Sequence, residues 1–142
     1  MSATRLIYGE ESRLLPWAAY RIGVTGFRKD AYTIGLERDG ELVAVVVFDT
    51  FSRYDVHMHI ASDGTARWMS KELLFAAFGY PFTQLGMNRI TGMVPAKNAT
   101  AIEFDKHIGF VLEGRCRNAL ADDDIVIFGM LRSECRFIPK DK

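Results

Sequence analysis

From Arg89 the chain alternates, with Ile90, Gly92 and Val94 set against Arg89, Thr91 and Met93. A period of two predicts a strand. Pro95 ends it, because proline has no N–H to give to a ladder. Asn98 then stands where a helix N-cap belongs, its side-chain oxygen placed to accept a free first-turn N–H. Ala101, Ile102, Asp105 and Ile108 follow near helical spacing with Phe104 beside them. Gly109 suits the left-handed position that closes a helix, and Phe110, Val111 and Leu112 resume an extended run. Strand, helix and strand in such short order predict a βαβ-like unit.

Upstream, Arg5–Tyr8 is a short strand candidate, and Glu10–Ile22 carries an apolar stripe through Leu14, Leu15, Ala18 and Ile22 near period 3.6. Pro16 lies inside that stripe and marks the expected helical start, since proline suits a first turn. Ala31–Arg38 and Glu41–Phe48 read as a hairpin around Asp39-Gly40, a dipeptide that favours a type I′ turn. Leu42–Phe48 is apolar on both faces, which predicts a central strand. Asp49–Tyr54 reads as a loop and Asp55–Ala61 as another strand. After the turn Ser62–Thr65, a long helix is expected from about Ala66 through Leu73, Leu74, Phe75, Phe78 and Phe82, kinked or ended at Tyr80-Pro81. Downstream of the βαβ-like unit, Asp122–Asp124 is an acidic turn and Ile125–Phe137 reads as the last long strand. Antiparallel strands followed by a βαβ pass predict a mixed α/β (α+β) fold.

Composition narrows the class. The 142 residues predict one domain. Eighteen basic residues balance eighteen acidic ones, so no global field draws nucleic acid or an anionic membrane to the chain. Arg115, Arg117, Arg132, Arg136, Lys140 and Lys142 read as solvated side chains rather than a basic patch. No apolar run approaches a membrane span, and no basic segment followed by an apolar one opens the chain. Two cysteines, Cys116 and Cys135, without a CxxC, fit strand positions in a reducing cytoplasm.

Asn98-x-x-Ala101, His107-Ile108-Gly109-Phe110, Glu113-Gly114 and Arg117 together resemble the C-terminal half of GNAT-family N-acetyltransferases. Asp124-Ile125-Val126-Ile127-Phe128-Gly129-Met130-Leu131 resembles the last strand of the branch that includes the ribosomal-protein N-acetyltransferases. The resemblance covers the final third of the chain in motif and the rest in order of elements. It implies a mostly antiparallel GNAT-like sheet flanked by helices, acetyl-CoA as cosubstrate, and an amine acceptor, small molecule or peptide.

The resemblance also assigns residues. Acetyl-CoA is expected along the strand before the long helix, at Ile60 and Ala61, with its pyrophosphate on the loop that opens the helix. That loop is usually Q/R-x-x-G-x-G/A, because glycine lets an anion approach free amides at a helix N-terminus. One placement, Ala61–Ala66, keeps Gly64 and Ala66 but loses the Q/R. The other, Thr65–Ser70, fits the helix better and puts Arg67 and the amides of Trp68, Met69 and Ser70 on phosphate, though it loses both glycines. Trp68 reads equally as a helix-edge aromatic. Asn98 is expected on the pantetheine arm. Asp105 stands where many members carry the tyrosine that protonates the leaving thiolate, and a carboxyl does this near neutral pH only if its pKa is raised.

His57 and His59 share one face of their strand. His59 is the general-base candidate, histidine being the side chain that changes charge nearest neutral pH. The alternative is two histidines on a wet face. No third ligand at metal spacing accompanies them. Glu113 is a second base candidate, or one half of a salt bridge. The loss of the loop glycines and of the tyrosine keeps open a non-catalytic GNAT-fold module that binds CoA or a protein partner. The acceptor pocket is expected from Glu10–Asp30, and a C-terminal strand edge at Cys135–Ile138 leaves a homodimer possible.

Overall fold

A computed structural model describes residues 3–65 and 70–139. Seven strands form one sheet: β1 (Thr4–Tyr8), β2 (Tyr32–Arg38), β3 (Glu41–Asp49), β4 (Asp55–Ser62), β5 (Arg89–Pro95), β6 (Val111–Leu120) and β7 (Asp123–Leu131). Three α-helices connect them: α1 (Glu11–Ile22), α2 (Lys71–Gly79) and α3 (Ala99–Ile108). The spatial order is β1-β2-β3-β4-β5-β7-β6, antiparallel throughout except for the parallel pair β4–β5. This is the mixed, mostly antiparallel architecture that the order of elements implied.

The β2–β3 hairpin turns at Asp39 and Gly40, both with positive φ (50° and 85°), as an Asp-Gly type I′ turn requires. β3 is buried from Val43 to Asp49 and lies inside the sheet between β2 and β4, as its two apolar faces predicted. On one face Val46, Phe48, Val56, Met58, Ile90 and Phe128 pack beneath α2 and α3, around Leu73, Phe78 and Ile108. On the other, Leu14 and Ala18 of α1 pack on Ile7, Val45, Val47 and Ala61.

Several expectations are corrected. α1 begins at Glu11, and Pro16 lies within it. Both Pro16 and Ser12 are exposed, so the Ser12 carbonyl that proline leaves without an N–H partner is open to water. α2 is capped by Ser70, whose Oγ accepts the Leu73 N–H at 3.1 Å, so its start lies after Ala66. The helix does not stop at Pro81 but widens into a π-helical turn, Tyr80–Gln84. β5 and β6 are not neighbours: β7 inserts between them and pairs with both. β7 ends at Leu131, where a 3-10 turn (Arg132–Glu134) reverses the chain and buries Cys135 in the core instead of extending a strand. The exposed edge on that side is therefore β6, not Cys135–Ile138. Neither Cys116 nor Cys135 forms a disulfide among the described residues. No helix among the described residues is long and apolar enough to cross a membrane.

Candidate functional site

The parallel ladder between β4 and β5 is short. It joins Asp55 to Arg89, Val56 to Ile90 and His57 to Thr91, and then stops. Beyond that point β4 runs on to Ser62 and β5 to Pro95, each still paired on its outer side, to β3 and β7 respectively. The two inner edges diverge. Alternate peptide groups of Met58–Ser62 and Gly92–Val94 therefore face an opening with no strand opposite. Ile60 and Ala61 lie on the β4 wall of this fork.

The described part of the loop from β4 to α2 bears on the first of the two phosphate placements. Gly64, with φ +90°, sits in a tight turn. Its N–H donates to Ser62 Oγ at 3.2 Å, and the Thr65 N–H donates to Asp63 Oδ1 at 3.0 Å. These amides are already used, which disfavours Ala61–Ala66 as a phosphate cradle. Thr65–Ser70 leads directly into the α2 N-terminus, where the Leu73 amide is capped and the other first-turn amides have no partner within the helix. Arg67, Trp68 and Met69 lie outside the described residues.

Across β3, β4 and β5 the pairing sets Asp49, His57 and Thr91 in one row, with Val47 and His59 in the next. His57 and His59 do share a face, the α1 side. His59 Nε2 is 2.8 Å from Asp49 Oδ1, and Asp49 is buried at 7% exposure. Phe27, from the segment before β2, lies over the same imidazole with ring centroids 5.7 Å apart. The carboxylate and the ring fix the orientation of His59 and leave Nδ1 as its free nitrogen. His57 is half-buried at the vertex of the fork and makes no hydrogen bond to the described residues. No group of three or more metal-ligating side chains occurs among the described residues.

Next to the vertex, Thr91 Oγ1 donates to Asp55 at 2.9 Å, and Arg89 bridges to Glu113 at 2.8 Å. Glu113 is thus a salt-bridge partner, and it lies against Gly129 on the α1 side. Asp49 was missed in the sequence, where it read as the first loop residue. The signal was an acid ending the long apolar run of β3.

Asp105 comes from the opposite face. A Cβ built on Gly92, one residue past the last β4–β5 pair, would lie 3.8 Å from Asp105 Oδ2 and from Phe128, and 4.0 Å from Phe110. The carboxyl makes no hydrogen bond to the described residues. Burial without compensation disfavours its charged form and raises its pKa from 3.8 to about 7. A group poised there both holds and releases a proton near neutrality. Asn98 caps α3, its Oδ1 accepting the Ala101 N–H at 3.1 Å. Asn98 is exposed, and its Nδ2 donates to none of the described residues.

The fold is that of known N-acetyltransferases. A single-site mutant of the spermidine N-acetyltransferase SpeG from Vibrio cholerae superposes with a TM-score of 0.75 at 15% identity, covering 92% of this chain and 94% of that one. The dodecameric spermidine N-acetyltransferase from Vibrio cholerae in its intermediate state gives 0.74 at 15% identity, covering 92% and 94%. A probable acetyltransferase gives 0.65 at 20% identity, covering 75% of this chain and 63% of the other. No family model and no curated protein sequence matches the chain.

Proposed function

We propose that the chain is an acetyl-CoA-dependent N-acetyltransferase that passes the acetyl group directly to an amine. The observation that carries this reading is the fork itself. The ladder stops after His57↔Thr91, with an oriented imidazole on one face of the opening and a proton-holding carboxyl on the other.

The thioester would lie between β4 and β5, its amide-bearing arm along Met58–Ser62 and beside Asn98 Nδ2, and its pyrophosphate at Arg67–Ser70. The amine enters from the α1 side. Its nitrogen attacks the thioester carbonyl carbon, and His59 Nδ1 takes the proton that the nitrogen loses. The carbon–sulfur bond then breaks, and Asp105 gives its proton to the departing thiolate. Base and acid sit on opposite faces of the opening, so the amine proton is taken on one side and the thiolate is protonated from the other as the tetrahedral intermediate collapses. Most of the acceleration comes from holding amine and thioester together, for which effective molarities of about 10⁵ M or more are known.

The acceptor is an amine, small molecule or peptide. The acetyltransferase fold supports the class; the motif likeness in residues 98–131 makes a protein N-terminus, and the likeness to spermidine N-acetyltransferases a polyamine, the acceptors to try first. Two cysteines that form no disulfide among the described residues suit a cytoplasmic setting.

A second reading is favoured by one sequence feature, the absence of glycine from Thr65–Ser70. In it the fold binds CoA or a protein partner without turnover. Release of free CoA thiol from acetyl-CoA, measured with an amine panel, separates the two. The enzyme reading expects amine-dependent release, reduced at least about tenfold in His59→Ala with acetyl-CoA binding retained. Acetyl-CoA binding with no amine-dependent release leaves the binding module. No binding at millimolar acetyl-CoA overturns both forms that involve CoA.

A further inference from the structure

Away from the fork, β1, β2 and the far end of α2 enclose a groove of about 360 Å³, within the size range of small-molecule sites. Tyr8, Tyr32, Phe75 and Tyr80 supply its rings, and Thr83 and Gln84 supply polar groups. Tyr32 and Tyr80 stack at 4.2 Å between centroids. Tyr8 and Phe75 are half-exposed, at 50% and 49%. The three phenol hydroxyls, Thr83 Oγ1 and the Gln84 amide make no hydrogen bond to the described residues. Five polar groups thus converge on one concave aromatic surface with their capacity unspent.

The π-helical turn brings three of them there. Tyr80, Thr83 and Gln84 all belong to it, and such turns recur at functional positions in helices.

Charge selects the ligand. No lysine, arginine, aspartate or glutamate lines the groove. Just outside it, the Glu11 carboxylate accepts from the Thr33 hydroxyl at 2.7 Å, one residue along β2 from Tyr32. An anion entering would meet that carboxylate and the negative ring faces with no counter-charge. A neutral ligand would gain ring contact but nothing from the carboxylate. A cation gains from both, as ring faces attract ammonium groups and phenol oxygens accept from them.

We infer that this groove is a binding site for a small organic cation, an alkylammonium group seated against Tyr8 and Tyr80. It shares no residue with the β4–β5 fork, so it does not depend on the acetyl-transfer reading.

The test compares choline with 3,3-dimethylbutan-1-ol, its neutral carbon isostere, each titrated into the full chain and followed by isothermal calorimetry and tyrosine-ring NMR shifts. The inference expects choline to bind about tenfold more tightly than the isostere. It expects Tyr80→Leu and the surface substitution Tyr8→Leu each to weaken choline severalfold, and His59→Ala to leave it unchanged. Equal affinity for the two compounds, no choline binding, or choline binding unaffected by Tyr8→Leu would each overturn it.

Discussion

Asp105→Asn is the substitution that probes the site with the clearest signature, because it removes a titration while keeping the shape of the side chain. Asp105 is an acid whose folded-state pKa, about 7, lies above its ordinary 3.8. The folded chain therefore holds this proton more tightly than the unfolded chain does. The resulting stability is complete below 3.8 and is lost progressively as pH rises to about 7. The interval corresponds to about 4 kcal/mol in total, or about 1.4 kcal/mol for each pH unit crossed. Asparagine cannot ionise, so the variant escapes that loss. Any fixed cost of burying its NH2 appears as a constant offset at every pH. Urea unfolding of both chains at intervals from pH 4 to pH 8 should give curves that separate steadily to pH 7 and then run parallel, the variant gaining throughout. Turnover of the unsubstituted chain should decline as pH rises through about 7, and the variant should lack that limb. Parallel stability curves across the whole range would refute the claim that burial holds a proton on Asp105.

Asp49→Asn replaces the carboxylate that holds His59 Nε2 at 2.8 Å with an amide whose NH2 can donate to that nitrogen, which shifts the imidazole proton to Nδ1 and removes the base. Turnover should fall at least about tenfold with little change in acetyl-CoA affinity, read from steady-state kinetics and calorimetry. Asn98→Ala deletes the α3 cap and should cost about 1 kcal/mol in urea unfolding. Asn98→Asp keeps the cap but loses the amide donor, so it should weaken acetyl-CoA binding without that stability cost. Gly109→Ala places a side chain at φ +114°, where its nearest neighbours leave ordinary contact distances. The cost of about 1–2 kcal/mol should thus reflect backbone strain alone.

Local signals carried far in this chain. The cap at Asn98, the left-handed Gly109 and the Asp-Gly hairpin all stand where the residues put them, because each depends on chemistry within a few positions. What failed to show was set by contacts distant in the chain. Pro16 sits inside α1 because its neighbourhood is open to water, not because proline prefers a helix interior. β7 slips between β5 and β6, a pairing that no local pattern specifies. The end of β7 at Leu131 follows from a turn that buries Cys135 under α2 and α3, although the residues read as one continuous strand. The site divides the same way. The face shared by His57 and His59 follows from strand periodicity. The Asp49 contact needed the β3–β4 register, and the proton on Asp105 needed the packing of Phe110 and Phe128 around Gly92.

The fork's occupant can be tested residue by residue. Titration of unlabelled acetyl-CoA into isotopically labelled chain, followed by backbone amide NMR, reads each peptide group beside the opening. The proposed site predicts the largest shifts along Met58–Ser62, Gly92–Val94 and Asn98, together with the first turn of α2. Shifts confined to other surfaces, or none at millimolar acetyl-CoA, would contradict it.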